Sequence, residues 1–185
     1  MTNPENVNEI ITINSATHPE TGKAICIIKF GHMRKMAEPD IILNTARELN
    51  AAAEAAEIDV ALMKVVLDDL ELPDAACAAI MSKAREARPM PGGKVALRIE
   101  AVAGYHTRKP YIHVGLGSTK GSLEPNEARQ MAQHWTEAAV TSHFDARLRY
   151  VLSDFDQLTE HDIENIFQGM LKAGGDSIER DTGQS

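Results

Sequence analysis

The chain has 185 residues, of which 43% are hydrophobic, so it can bury a core and does not have the composition of a disordered protein. Its 19 basic and 27 acidic residues give a net charge of −8, which opposes general attraction to nucleic acid or anionic lipid. Any contact with such partners must therefore be local. No apolar run approaches about 20 residues and the first residues lack a secretion signal, so we expect a cytoplasmic protein that does not cross a membrane.

The second half of the chain resembles the first when the sequence is shifted by 86 positions. Residues 10–87 then align with 96–173 without a gap, and sixteen of the 78 columns are identical, where composition alone would give about five or six. The match runs through a hairpin, a turn and a Glu-Pro step in one register, which shared helix composition does not explain. The sequence therefore predicts a tandem duplication. The expected organisation is a flexible N-terminus (1–8), repeat 1 (9–88), a linker (89–94), repeat 2 (95–173) and a disordered tail (174–185).

Each repeat is expected to open with two strands. In repeat 1, alternation of apolar and polar residues places Ile11 and Ile13 on one face of the first strand. After a polar turn, a second strand follows and ends at Gly31, or at Gly117 in repeat 2.

Helices are expected to fill the rest of each repeat. Pro39 and Pro125 each follow a glutamate and mark a helix start, because proline suits the first helical position. Asp59 and Asp145 can cap a second helix, although nothing breaks the chain there and one long helix is the alternative. A further helix is expected to begin near Pro73 in repeat 1 and at Thr159 in repeat 2, where Thr159 and Asp162 have capping-box spacing.

The two hairpins, each packed against its own layer of helices, are expected to merge into one sheet, because a lone hairpin is only marginally stable. The predicted fold is α+β, with one mainly antiparallel four-stranded sheet, helices on one face and a pseudo-two-fold axis between the ββα(αα) units. Two separate small domains are the alternative.

Residues 115–122 form a glycine-rich stretch between a strand and a helix, which is where phosphate-binding loops occur. The stretch has no Gly-Lys-Ser/Thr at P-loop spacing, its glycines miss the dinucleotide fingerprint, and the matching stretch 31–35 keeps only the first glycine. We therefore expect both stretches to be ordinary loops between a strand and a helix, and we expect no cofactor.

Basic residues are concentrated at equivalent stretches of the two repeats although the whole chain is acidic. A two-fold relation would bring like loops together, and two cationic loops beside helix N-termini can hold phosphate groups or an acidic protein surface. Solubilising surface charge is the alternative. The candidate binding residues are Lys23, Arg34, Lys35, Arg108, Lys109 and Lys120.

Histidine and cysteine do not show metal-binding or catalytic spacing. Cys26 and Cys77, the only cysteines, lie in apolar runs and are expected to be reduced core thiols. The seven histidines are scattered, so we expect no metal site. His32, His113 and His134 are the candidates for a catalytic site with carboxylates between the repeats.

The outer sheet face of repeat 1 is expected to expose an apolar patch made of Ile10, Ile25 and Ile27. Such a patch indicates a partner or a second subunit, so we expect a homodimer or a higher homo-oligomer. Cover by the protein's own helices is the alternative.

The leading functional hypothesis is a non-catalytic binding protein, such as an inhibitor encoded by a phage or another mobile element. Its expected ligand is a protein complex or a phosphate-bearing molecule such as a nucleotide or oligonucleotide, bound through the duplicated basic residues. A small enzyme with a histidine and carboxylate site between the repeats is the second hypothesis, and a homo-oligomeric assembly subunit is the third.

Overall fold

The structure, a computed structural model, describes residues 11–18, 20–88 and 92–181. The N-terminal segment expected to be flexible (1–8) lies outside the described residues. Residues 89–91 of the expected linker and 182–185 of the expected tail lie outside them as well.

The described strands form two three-stranded antiparallel sheets, so the prediction of a single four-stranded sheet is wrong. Sheet A has the order β1-β2-β3 and sheet B has the order β4-β5-β6. The strands are β1 (Ile11–Thr17), β2 (Ala24–Phe30), β3 (Met33–Ala37), β4 (Arg98–Ala103), β5 (Pro110–Leu116) and β6 (Thr119–Leu123).

The extra strands, β3 and β6, occupy stretches that were expected to be loops. Each follows a two-residue turn whose first residue is a glycine with positive φ, 55° at Gly31 and 60° at Gly117. Glycine is favoured at that position of a tight hairpin. Both strands are short and lack apolar alternation, because β3 has Lys35 on its inner face and Met36 on its outer face, and β6 has Thr119 and Gly121 on its inner face.

Two long helices dominate the helical layer, and each begins at the proline that the sequence indicates. No second helix begins at Asp59 or Asp145, because both residues lie within a long helix. A π-helical turn, Val65–Asp69, extends the first of them. The last helix runs past residue 173, where the second repeat was expected to end. The helices are α1 (Pro39–Lys64), α2 (Asp74–Glu86), α3 (Pro125–Ser153) and α4 (Glu160–Asp181).

Each long helix covers the sheet of the other half of the chain. Helix α1 packs mainly on β4 and β5, whereas α3 packs mainly on β1 and β2. The two helices lie antiparallel. This is shown by the salt bridge of 2.6 Å between Arg129, near the start of α3, and Glu57, near the end of α1. The Arg129 guanidinium lowers the pKa of Glu57 through this hydrogen bond. One hydrophobic core therefore contains residues of both halves, among them Leu49, Leu116 and Trp135.

The two sheets meet at their β2–β3 and β5–β6 turns. A side chain at Gly117 would lie within 2.7 Å of the Met33 methyl carbon, and one at Gly121 would lie 3.1 Å from the Phe30 ring. The β1–β2 and β4–β5 loops consequently lie at the far ends of the two sheets. No helix in the described ranges is long and apolar enough to cross a membrane.

Candidate functional site

A groove opens between one edge of sheet A and one edge of sheet B, and we call it the central groove. Its walls are residues 11–15 of β1 and 120–123 of β6, and its floor is formed by α3 between residues 127 and 141. Its volume is about 850 Å³. The groove exists because α3 crosses from the end of sheet B to cover sheet A and so passes beneath both edges.

The centre of the floor, at Met131, Trp135 and Ala138, is apolar, and polar side chains surround it. Trp135, the only tryptophan of the chain, forms part of the floor and is 1% exposed. Ile13, Leu123 and Met131 line the groove beside it, and all three pack against the hydrophobic core. The polar lining residues are Thr12, Asn14, Ser15, Lys120, Ser122, Glu127, Gln130, His134, Glu137 and Thr141.

Both strands that wall the groove have a free edge. Among the described strands, β1 pairs only with β2 and β6 pairs only with β5, so their outer backbone N–H and C=O groups face the groove without a strand partner. A free edge of this kind is a template for pairing with another extended chain.

The other two sheet edges, β3 and β4, flank a chain segment instead of an open groove. Residues 92–97 lead into β4 along α1, and Ala96 and Leu97 are buried. The ammonium of Lys35 on β3 donates to the Ala96 carbonyl at 3.2 Å. The Ala96 N–H donates to the Thr45 hydroxyl at 2.8 Å, and Gly93 lies against the Asn44 side chain. A bent segment therefore fits between a sheet edge and a long helix in this fold, and the Lys35 side chain ties it to β3.

The residues that contact this segment have counterparts in the central groove. Adding 86 to their numbers takes Lys35 to Gly121, Asn44 to Gln130 and Thr45 to Met131. All three counterparts line the groove. The β3 edge is thus flanked by a described segment, whereas no described segment flanks the β1 and β6 edges.

The structure does not bring the six candidate basic residues together. Lys23 lies in the β1–β2 loop beside the start of α1, whereas Arg108 lies in the β4–β5 loop 3.9 Å from Asp68, just beyond the end of α1. Helix α1 has 26 residues and spans about 39 Å, so these two loops lie at opposite ends of the molecule. Lys109 adjoins Arg108 in the same loop.

The other three candidates lie on strands and not in loops. Arg34 and Lys35 are on β3, and Lys120 is on β6. Lys35 points towards the helices, where it holds Ala96, and Lys120 lines the central groove. Arg34 is exposed on the opposite face of its strand.

The three candidate catalytic histidines do not meet. His134 lines the central groove, His113 lies on the face of sheet B turned away from the helices, and His32 occupies the β2–β3 turn. Within the described ranges, no group of three His, Cys, Asp or Glu side chains is arranged to hold a metal ion. Both cysteines are free and buried, and burial raises the pKa of the Cys26 thiol to about 11.

The expected apolar patch on sheet A is smaller than the sequence suggested. Ile25 is 8% exposed, because α3 reaches its strand and Ser142 donates a hydrogen bond to the Ile25 carbonyl at 2.7 Å. Ile27 is partly exposed beside Met36, and Ile10 lies outside the described residues. The chain's own helix therefore covers part of this face.

Sequence reasoning missed the central groove, because its walls come from two strands more than a hundred residues apart. The free edge of β6 was missed with the strand itself. Comparison of the chain with models of protein families, with curated proteins and with solved structures finds no match.

Proposed function

We propose that this chain is a non-catalytic binding protein whose central groove takes an extended segment of a partner protein as an added β-strand. The observation that carries the proposal is that two strand edges, on β1 and β6, have no strand partner among the described residues and face one groove whose floor is apolar at its centre. Main-chain hydrogen bonds to such edges give affinity, and pockets for alternate side chains give specificity.

The packing of residues 92–97 supports this proposal. That segment contacts α1 and β3, and the backbone of Ala96 is bound by side chains from both elements. The central groove offers Gly121 and Met131 at the corresponding positions, so it has more room and a more apolar floor. We therefore infer a ligand segment with apolar residues at alternate positions, which pack on Met131 and Leu123 above the buried Trp135.

We also infer that the two halves are copies of one unit related by a pseudo-two-fold axis. In support, β2 and β5, β3 and β6, and α1 and α3 begin 86 positions apart in each case. The open and the filled groove are then two versions of one structural site.

A selection from random ten-residue peptides displayed against the full-length chain tests the proposal. Selected peptides are synthesised and titrated while Trp135 emission is recorded, because this tryptophan lies at the groove floor. Met131→Glu is expected to weaken binding roughly tenfold or more, since it would bury an unpaired carboxylate against the peptide. Val140→Glu is the matched control, because it adds the same charge at an exposed position of α3 outside the groove lining.

Peptides that bind Met131→Glu as tightly as the unaltered chain, or that leave Trp135 emission unchanged, contradict the proposal. The chain segment that precedes Ile11 is the competing occupant, since residues 92–96 precede β4 and pack beside β3. Peptides that bind only to a chain starting at Ile11 would assign the groove to that segment and reject a partner protein.

A further inference from the structure

A second surface with binding chemistry lies on the sheet face that is turned away from the helices, which we call the outer face. Strand register places Thr12, Lys29 and Arg34 in one row across sheet A. Arg98, Gly115 and Lys120 form the corresponding row across sheet B. The four basic side chains of these rows are exposed.

The two rows lie on either side of the junction between the sheets. Met33 and Gly117 are in contact at that junction, and Arg34 follows Met33 directly. Both sheets pack on the same pair of helices, so their outer faces point to the same side of the molecule. Lys29, Arg34, Arg98 and Lys120 therefore form one surface, which we call the cationic patch.

The cationic patch has few acidic neighbours. Within the described part of the chain none of its four residues makes a salt bridge, whereas Arg85, Arg88, Arg108, Arg129 and Arg149 all do. Glu100 is the one acid among the outward-facing residues of the six strands, and it pairs in register with His113. Positive charge is thus segregated here in a chain whose net charge is −8.

The sheet B part of the patch has a concave shape. A side chain at Gly115 would lie 3.3 Å from a terminal nitrogen of Arg98, so the Arg98 guanidinium extends over the bare backbone of Gly115. A cavity of about 470 Å³ lies there, lined by donors of Arg98, His113, Lys120 and Ser122 and by the one carboxylate of Glu100. The planar guanidinium of an exposed arginine can donate hydrogen bonds to two phosphate oxygens at once.

We propose that the cationic patch binds the phosphate backbone of a nucleic acid. The two rows contain no apolar side chain, whereas the core of a protein–protein interface is apolar and rich in aromatic residues. Tyr111 is the one aromatic residue of the outer face besides His113, so the surface contacts phosphates and does not stack bases. Binding is then independent of sequence and depends on salt.

The salt dependence follows from the number of cations. Four phosphate contacts on a duplex give a slope of about −3.6 for the logarithm of the binding constant against the logarithm of salt concentration. Affinity then falls about 150-fold between 50 and 200 mM salt. Removing two cations halves the slope.

The test is fluorescence anisotropy of two labelled 20-base-pair duplexes of unrelated sequence, titrated with the full-length chain. The double variant Lys29→Gln/Arg34→Gln is expected to halve the salt slope and to weaken binding at least tenfold at 50 mM salt, equally for both duplexes. Neither residue lines the central groove, so failure here leaves the proposed peptide site untouched. The matched control Lys64→Gln/Lys83→Gln changes net charge equally at exposed helix positions and is expected to bind as the unaltered chain does.

Three results would overturn the proposal. The first is no anisotropy change at 50 mM salt, and the second is a loss of affinity in the control variant equal to that in the double variant. The third is that polyglutamate displaces the duplex as effectively as unlabelled DNA does. The last result would assign the patch to an acidic protein partner. Far-UV circular dichroism of each variant verifies that loss of binding does not come from unfolding.

Discussion

The ammonium group of Lys35 donates a hydrogen bond to the carbonyl oxygen of Ala96 at 3.2 Å and so joins β3 to the segment that leads into β4. The N–H of Ala96 is bound from the other side by the Thr45 hydroxyl at 2.8 Å, and that hydroxyl donates to the Ile41 carbonyl at 2.6 Å. The backbone of one residue is therefore held by side chains of a strand and a helix.

Thr45→Val is expected to destabilise the fold by about 2 kcal/mol, because it leaves the buried Ala96 N–H without an acceptor while keeping the shape of the side chain. Thr45→Ser keeps the hydroxyl and is expected to cost about 1 kcal/mol for the lost methyl group. Urea unfolding measures both costs. Equal costs for the two variants would show that the hydrogen bond does not hold the segment.

Asp59 gives a second stability test, because its carboxylate is fully buried and binds both Arg85 and Arg88. Asp59→Ala is expected to cost about 3 kcal/mol, since it removes the partner of both guanidinium groups and leaves a cavity in α1. Asp68→Ala removes an exposed pair with Arg108 and is expected to cost less than about 1 kcal/mol. Thermal or urea unfolding that ranks the two variants equally would contradict this account of Asp59.

Asp145 occupies the position that corresponds to Asp59 but has a different environment. Burial raises the pKa of Asp145 above its ordinary value of 3.8, and Arg149 only partly opposes the rise. A raised folded-state pKa means that ionisation of this group costs stability, so its favourable contribution is complete below pH 3.8 and is lost as pH rises through the raised pKa. Asp145→Asn is therefore expected to raise Tm at pH 7 relative to Asp156→Asn and to leave it unchanged at pH 3. A Tm at pH 7 that is lower for Asp145→Asn than for Asp156→Asn would contradict this account of Asp145.

The contact between the two turns is testable at Gly117. Gly117→Ala is expected to cost about 2 kcal/mol, because alanine is strained at a φ of 60° and its methyl group meets Met33. In a Met33→Ala background the cost is expected to fall to about 1 kcal/mol. Gly22→Ala, with φ 65° and open space around it, supplies the cost of backbone strain alone. Additive costs at Gly117 and Met33 would mean that the turns do not touch.

Local sequence signals predicted much of the secondary structure. The Glu-Pro steps mark the starts of α1 and α3, and the Thr159 and Asp162 spacing marks the start of α4, where Asp162 accepts hydrogen bonds from the Thr159 N–H and hydroxyl. The strands β3 and β6 could not be recognised by apolar alternation, because Lys35 of β3 and Thr119 of β6 lie on the faces that turn towards the helices.

The arrangement of helices on sheets was beyond local reasoning. The sequence indicates that α1 has a buried stripe, but not that the stripe covers β4 and β5 instead of the strands that precede it. The central groove, with Lys120 on its wall, forms only because each long helix covers the sheet of the other half of the chain. Arg98 and Lys29 carried a usable signal. Period-two alternation places Arg98 on the outer face of β4, and the two-residue turn between β2 and β3 pairs Lys29 with Arg34 on one face once β3 is recognised.

The most direct test of strand addition is amide hydrogen exchange of the full-length chain with and without a selected peptide. The account predicts that amides on the free edges of β1 and β6 both gain protection when the peptide binds, while those of the already flanked edges of β3 and β4 do not change. Protection confined to other elements, or absent from both groove edges at saturating peptide, would contradict it.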